Sequence, residues 1–270
     1  MLQFDHLLHA VHSPEAVRQA FTDAFGLTTV DGGTHPQWGT YNTLCYLGLP
    51  YIEWIGVRDE ATAAQTEFGA RVLAALSVAE SPVQFALRTS KMDQVAESWR
   101  AKGCAFDGPV EASRKRPDGT MLSWRMLFPK QPLGRGFQLP FLIEWGEPDE
   151  VRRQSLVDSG ALPQAQPYHL SALHSVVESL SAFQARFAEY FSVPLLSVAD
   201  AVRGQGLVAH LGDVDVYFWE PRAQAAARVL ALHGERPFEL VLRARRAAGE
   251  TFVEGRQILY GLSVRVIRGE

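Results

Sequence analysis

Two glutamates stand where an ionised carboxylate is expensive. Glu53 lies in Pro50-Tyr51-Ile52-Glu53-Trp54-Ile55, and Glu144 in Pro140-Phe141-Leu142-Ile143-Glu144-Trp145. Both runs are apolar and aromatic, the composition of buried strands. A lone carboxylate there is costly unless it is paired, hydrogen-bonded or bound to a metal. The arrangement occurs twice in nearly the same words, which points to an internal repeat and to a site between the copies. Three further stretches carry chemistry-bearing side chains. His6 and His9 lie in the apolar run Gln3–Val11, His35 and Trp38 in a glycine-rich loop, and Arg125 within Ser123-Trp124-Arg125-Met126.

The elements that must position these residues recur. Gln3–Val11 reads as a strand. Ser13-Pro14-Glu15 then supplies an N-cap, a proline in the first turn and an acid beside it. Val17, Ala20, Phe21 and Ala24 follow at helical spacing, and Gly26 stops the helix. Asp31-Gly32-Gly33 is a turn signal, and Thr40–Leu47 and Tyr51–Gly56 read as strands. Arg58–Leu76 reads as a connecting helix. The order restarts at Val83–Arg88, with a helical face of Met92, Val95, Ala96 and Trp99, a Pro117-Asp118-Gly119 turn, and strands over Met121–Phe128 and Phe141–Trp145. Residues 149–167 read as a linker. A third copy follows, from Leu170–Val177 to Val214–Trp219, and a shorter fourth runs from Phe238–Arg243 to Gln257–Ile267. His6, His9 and His12 are spaced like a helical metal cluster, but they precede the helix. On a strand His9 faces away from the other two.

Composition narrows the function. The chain has 270 residues, 47% hydrophobic and 21% charged, with net charge −4. That is an ordinary globular balance with no long basic block, so neither nucleic acid nor an anionic membrane is an expected partner. Cys45 and Cys104 make neither a disulfide framework nor a zinc knuckle. No apolar run approaches the ~18–20 residues of a membrane span, and the N-terminus lacks a signal-peptide pattern. A cytoplasmic setting is the default expectation.

The words Phe4-Asp5-His6-Leu7-Leu8-His9-Ala10-Val11, Gly32-Gly33-Thr34-His35-Pro36-Gln37-Trp38-Gly39-Thr40-Tyr41-Asn42, Tyr51-Ile52-Glu53-Trp54-Ile55-Gly56, Arg116-Pro117-Asp118-Gly119 and Ile143-Glu144-Trp145 resemble the vicinal oxygen chelate superfamily, in its glyoxalase-like branch. The resemblance is strong over residues 1–148 and rests mostly on module order over 168–270. It implies an α+β fold of four βαβββ modules forming two tandem half-open barrels. The expected division is 1–148 as the barrel carrying a metal site, 149–167 as linker, and 168–270 as a second, degenerate barrel.

By the same resemblance one divalent ion (Zn, Ni, Mn or Co) is held by His6, Glu53, Gln84 and Glu144, with Glu53 or Glu144 doubling as catalytic base. Gln84 stands where a dioxygenase would carry a second iron-binding histidine, which argues against iron–oxygen chemistry. In the later copies Ala172, Tyr217, Glu239 and the Val264 region fall on the ligand positions, so no full set is expected there. His35, Trp38, Asn42 and Arg125 are expected to shape the substrate pocket, with Arg125 answering either Glu144 or a substrate carboxylate. Arg114-Lys115-Arg116 reads as a solvated loop, or as a guide for an acidic substrate. The implied activity is that of a metal-dependent lyase, isomerase or hydrolase on a small substrate with vicinal oxygens, in a monomer or homodimer. The alternative is a metal-free binding or resistance protein using the same cavity.

Overall fold

The computed structural model describes residues 1–115, 119–222, 224–245 and 254–269. Of the quoted turn motif, Arg116, Pro117 and Asp118 lie outside them. The chain builds two mixed sheets, sheet A of eight strands and sheet B of seven. Sheet A contains β1 (Gln3–Ala10), β2 (Val30–His35), β3 (Thr40–Tyr46), β4 (Tyr51–Val57), β5 (Ser81–Arg88), β6 (Phe106–Lys115), β7 (Met121–Pro129) and β8 (Phe141–Trp145). Their spatial order is β2-β3-β4-β1-β5-β8-β7-β6, so β1 and β5 lie side by side at the centre, antiparallel to each other. Sheet B contains β9 (Tyr168–Val176), β10 (Leu196–Asp200), β11 (Gly204–Leu211), β12 (Val214–Trp219), β13 (Arg236–Ala244), β14 (Gly255–Leu259) and β15 (Leu262–Ile267), in the order β10-β11-β12-β9-β13-β15-β14. This is the α+β architecture of tandem vicinal-oxygen-chelate modules.

Helical side chains reach both faces of sheet A, Val17, Phe21 and Trp99 on that of Leu7 and Phe85, Val72 and Ala75 on that of Leu8 and Ala86. In α1 (Pro14–Phe25), Ser13 Oγ accepts from the Ala16 amide at 3.3 Å, and Gly26 closes the helix at φ 65°. Val17, Phe21 and Phe25 point inward from α1, as Met92, Ala96 and Trp99 do from α4 (Met92–Ala101). Phe183 and Phe187 do the same from α6 (Leu180–Tyr190). These side chains join one continuous core with Phe4, Leu7, Trp54 and Phe85 of sheet A and Leu173, Phe218 and Leu240 of sheet B. Each large apolar side chain removed from water there contributes about 1.5–3 kcal/mol, so the two sheets stabilise each other. Where they meet, buried His9 places Nε2 2.6 Å from the Tyr260 carbonyl.

Several segments differ from the sequence reading. Arg58–Leu76 is not one helix but two, α2 (Glu60–Ala64) and α3 (Glu67–Leu76). Thr66 separates them, its hydroxyl accepting from the Gly69 amide as a new N-cap. Asp31-Gly32-Gly33 belongs to the edge strand β2, bulged between Asp31 and Gly33. The segment read as a linker contains a helix, α5 (Asp149–Asp158). The remaining helix, α7 (Gln224–His233), precedes β13.

Candidate functional site

Strand alternation decides which side chains meet on the cavity face of sheet A. Asn42, Leu44 and Tyr46 of β3, Tyr51 and Glu53 of β4, Leu122, Trp124 and Met126 of β7, and Phe141, Ile143 and Trp145 of β8 turn to one side. With His6 of β1 they enclose a cavity of about 360 Å³. His35 at the end of β2, Trp38 in the turn after it, Phe68 of α3 and Arg114 of β6 complete its rim. Aromatic side chains (Tyr46, Tyr51, Trp124, Phe141 and Trp145) line it beside polar ones, with His6, Asn42 and Glu53 on one wall and Arg114 opposite.

His6 is held from both sides. Its Nδ1 lies 2.8 Å from Asp5 Oδ1 and its Nε2 3.4 Å from Glu53 Oε2. An ionised Asp5 only accepts hydrogen bonds, so Nδ1 carries a proton and Nε2 is the atom presented to the cavity. The ring stacks on Tyr51 at 4.5 Å between centroids and meets the edge of Phe141 at 5.4 Å. Glu53 Oε1 accepts from Asn42 Nδ2 at 2.6 Å, while Asn42 Oδ1 accepts from the Gly33 amide at 2.8 Å. A Cβ at residue 32 would stand 1.9 Å from Asn42 Oδ1, so only glycine permits that approach.

Asp5 is fully buried. Burial by itself would raise its pKa. Arg152, the hydrogen bond with His6 and Arg88 outweigh it and hold the carboxyl well below the usual carboxylate range. Arg88 Nη1 stands 3.4 Å and Arg152 Nη1 3.5 Å from Asp5 Oδ2, and Trp145 Nε1 donates to the same oxygen at 3.1 Å. Arg152 comes from α5 and lies 4.0 Å over the Trp145 ring. Sequence reasoning missed both Asp5 and Arg152. Asp5 was legible as a charge inside an apolar strand. Arg152 sat in a segment read as linker and carried no signal.

The loop expectations fare differently from one another. His35 and Trp38 reach the cavity rim, 5.6 Å apart, and His35 Nδ1 lies 3.1 Å from Thr40 Oγ1. Burial lowers the His35 pKa, with Glu53 opposing and Arg114 reinforcing the shift. Asn42 is in the cavity. Arg114 is not a solvated loop residue: it lies in β6, lines the cavity and donates to the Gly32 carbonyl. Arg125 is not in the cavity. It alternates with Trp124 and Met126, faces the other way and pairs with Glu144 and Asp93.

The four expected metal ligands are not brought together. Glu144 alternates with Ile143 and Trp145, so it turns away from the cavity and accepts from Arg125 and from the Met92 amide. Gln84 is on the inner face, but Arg71 of α3 donates to its Oε1 at 2.6 Å, and its Nε2 donates to the Leu139 carbonyl. That leaves His6 and Glu53. Among the described residues no three His, Cys, Asp or Glu side chains converge on a metal-sized position. A catalytic metal ordinarily takes three protein ligands, so the donors present do not fit the ion the resemblance implies.

A family model described as "Glyoxalase-like domain" matches residues 4–191. The chain belongs to this family. The match covers β1 through α6, and so contains every element of the cavity. No curated protein matches the sequence. Among solved structures, a hypothetical protein from Staphylococcus aureus superposes with TM-score 0.77 at 17% identity, covering 99% of this chain and 100% of that one. A substituted 4-hydroxymandelate synthase from Streptomyces coelicolor gives 0.59 at 13% identity, over 92% of this chain and 73% of that one. A xylose isomerase-like TIM barrel/4-hydroxyphenylpyruvate dioxygenase fusion protein gives 0.52 at 16% identity, over 90% and 36%. At these identities the likeness is one of fold. No helix among the described residues is long and apolar enough to cross a membrane.

Proposed function

We propose that this glyoxalase-like cavity takes a small, flat organic molecule bearing adjacent oxygens, such as an α-hydroxyketone, and that His6 and Glu53 move a proton on it. The observation that carries the reading is the Asp5–His6–Glu53 line at the foot of an aromatic cavity. Aromatic walls suit a planar body. Asn42 holds one Glu53 oxygen, and the other, only 3.4 Å from His6 Nε2, is the one that takes a proton from carbon beside the carbonyl. A proton on His6 Nε2 passes to the carbonyl oxygen, while Nδ1 keeps its bond to Asp5. The C–H bond breaks, the O–H bond forms and an enediol results. Glu53 then returns its proton to the former carbonyl carbon while the original hydroxyl gives its proton to His6 Nε2, so the carbonyl has moved by one carbon and both side chains are restored.

The test is solvent deuterium incorporation, followed by NMR, with 2-hydroxyacetophenone and a panel of aliphatic α-hydroxyketones. Exchange above the buffer rate is expected. It should be lost in Glu53→Gln, which keeps the Asn42 hydrogen bond, and should persist after EDTA treatment. Exchange no faster than buffer, or exchange surviving in Glu53→Gln, would overturn proton transfer at Glu53. Loss with EDTA and recovery with Zn, Ni, Mn or Co would overturn the metal-free form of the reading. Binding without exchange would favour the alternative, a small-molecule binding protein. That reading draws on the aromatic walls and on Glu53 already having two protein partners.

A further inference from the structure

The second sheet has a cavity of its own. On the free face of sheet B, β9, β12, β13 and β15 enclose about 400 Å³. Leu8 of β1 pairs with both Glu53 and Gln84, and in the same relation His174 of β9 pairs with both Tyr217 and Glu239. The chemistry at these places differs from that of sheet A.

Its floor is aromatic. Tyr217 stacks on His174 at 4.8 Å, and the Tyr217 and Trp219 rings lie within 7° of parallel, 5.6 Å between centroids. Trp219 Nε1 donates to His174 Nδ1 at 2.8 Å, which places the proton of the neutral imidazole on Nε2. Burial, Arg203 and Arg265 push His174 down to about 3, so the ring carries no charge.

Its charge is unbalanced. Arg203, Arg243 and Arg265 line the cavity, and Arg256 joins them at Glu239. Against these four guanidiniums stand three carboxylates. Fully buried Glu239 is saturated by Arg203, Arg256 and, at 3.1 Å, Ser263 Oγ. Asp200 Oδ1 caps the Val202 and Arg203 amides at 2.8 and 2.7 Å. Asp215 is taken by His210 at 2.6 Å and by the Tyr217 hydroxyl at 3.4 Å. Arg265 Nε stays 3.7 Å from Glu239, buried and without a hydrogen-bond acceptor, and no carboxylate among the described residues pairs with Arg243. A buried guanidinium donor without an acceptor is costly, and a fork of guanidiniums matches a carboxylate.

We propose that this cavity is a second ligand site, in which Arg265 and Arg243 hold the carboxylate of a small planar acid whose body lies on the His174–Tyr217–Trp219 floor. The pocket is distinct from the His6–Glu53 cavity and does not depend on any reaction there.

Benzoate serves as the probe, titrated calorimetrically into the full chain, with benzyl alcohol and inorganic phosphate as comparisons. Saturable benzoate binding is expected, weakened about tenfold or more in Arg265→Gln and in Arg243→Gln, a loss of about 1.4 kcal/mol or more. Glu53→Gln should leave it unchanged, and neither benzyl alcohol nor phosphate should displace it. Thermal unfolding checks that the variants fold. If Arg265→Gln does not, Arg243→Gln decides. No saturable binding, or affinity unaltered in the folded variants, would overturn the proposal. So would displacement by benzyl alcohol, which would remove the carboxylate from it, or by phosphate, which would reduce it to a simple anion site.

Discussion

Asp5→Asn is the sharpest test of how the His6 site is held. The substitution keeps the shape of the side chain and removes its charge. In the native protein that charge answers Arg88 and Arg152, both buried, and fixes His6. Arg88 keeps Asp149, Gln3 and the Phe4 carbonyl as partners. Arg152 keeps only its aromatic contacts, because Nη1 and Nη2 have no hydrogen-bond acceptor among the described residues. Removing one partner of a buried ion pair costs ~3–5 kcal/mol. With a shift of 2–4 °C per kcal/mol, that corresponds to a fall in Tm of roughly 6–20 °C.

The pH dependence carries the sign. The folded pKa of Asp5 is depressed, so its contribution is fully present above the unfolded pKa and is lost as pH falls through the folded one. The Tm difference between wild type and Asp5→Asn should therefore be level from neutral pH down to about 4 and narrow below that. Differential scanning calorimetry across this range measures it. A loss under about 1 kcal/mol, small beside that expected for a broken buried pair, or a difference that does not narrow in acid, would refute the account of Asp5 as the keystone of the site.

Other substitutions probe the neighbouring groups. Glu144→Gln should cost ~1 kcal/mol or less in thermal unfolding and leave deuterium exchange unchanged. Loss of exchange would mean that Glu144 does reach the cavity. Gln84→Leu strips Arg71 of its buried acceptor and should destabilise by ~1–3 kcal/mol in urea titration; a neutral result would show that Arg71 finds water instead. His9 is pushed down to about 4 by burial, against its bond to the Tyr260 carbonyl. The unfolded chain binds a proton near pH 6.5 that the folded one refuses, so stability should fall from there toward about pH 4, by up to ~1.4 kcal/mol per unit. His9→Gln should remove its share of that slope and leave those of His174 and His35, which are likewise lowered; an unchanged slope would assign it wholly to such groups.

Much of the front half was legible before any fold. The Ser13-Pro14 cap, the apolar spacing of α1 and α4 and the strand character of β1, β4, β5, β7 and β8 are local, and local chemistry dictates them. Glu53 was found because a carboxylate in an apolar run is an energetic anomaly wherever the chain folds, and His6 because its strand resembles the family's first strand. The same reasoning paired Glu144 with Glu53 because the words around them match. Words do not set the phase of a strand. Register against β5 and β7 does, and it turns Ile143 and Trp145 inward and Glu144 out to Arg125. Asp5 gains its arginines from residues 83 and 147 positions away, and the arginines of sheet B gather from three strands and a turn. Contacts across such distances depend on how sheets and helices dock, and no short stretch of sequence encodes that. Composition and periodicity therefore marked the costly carboxylates, and the family resemblance set His6 beside Glu53. Packing between distant segments determined which ones meet, and left two donors where four had been expected.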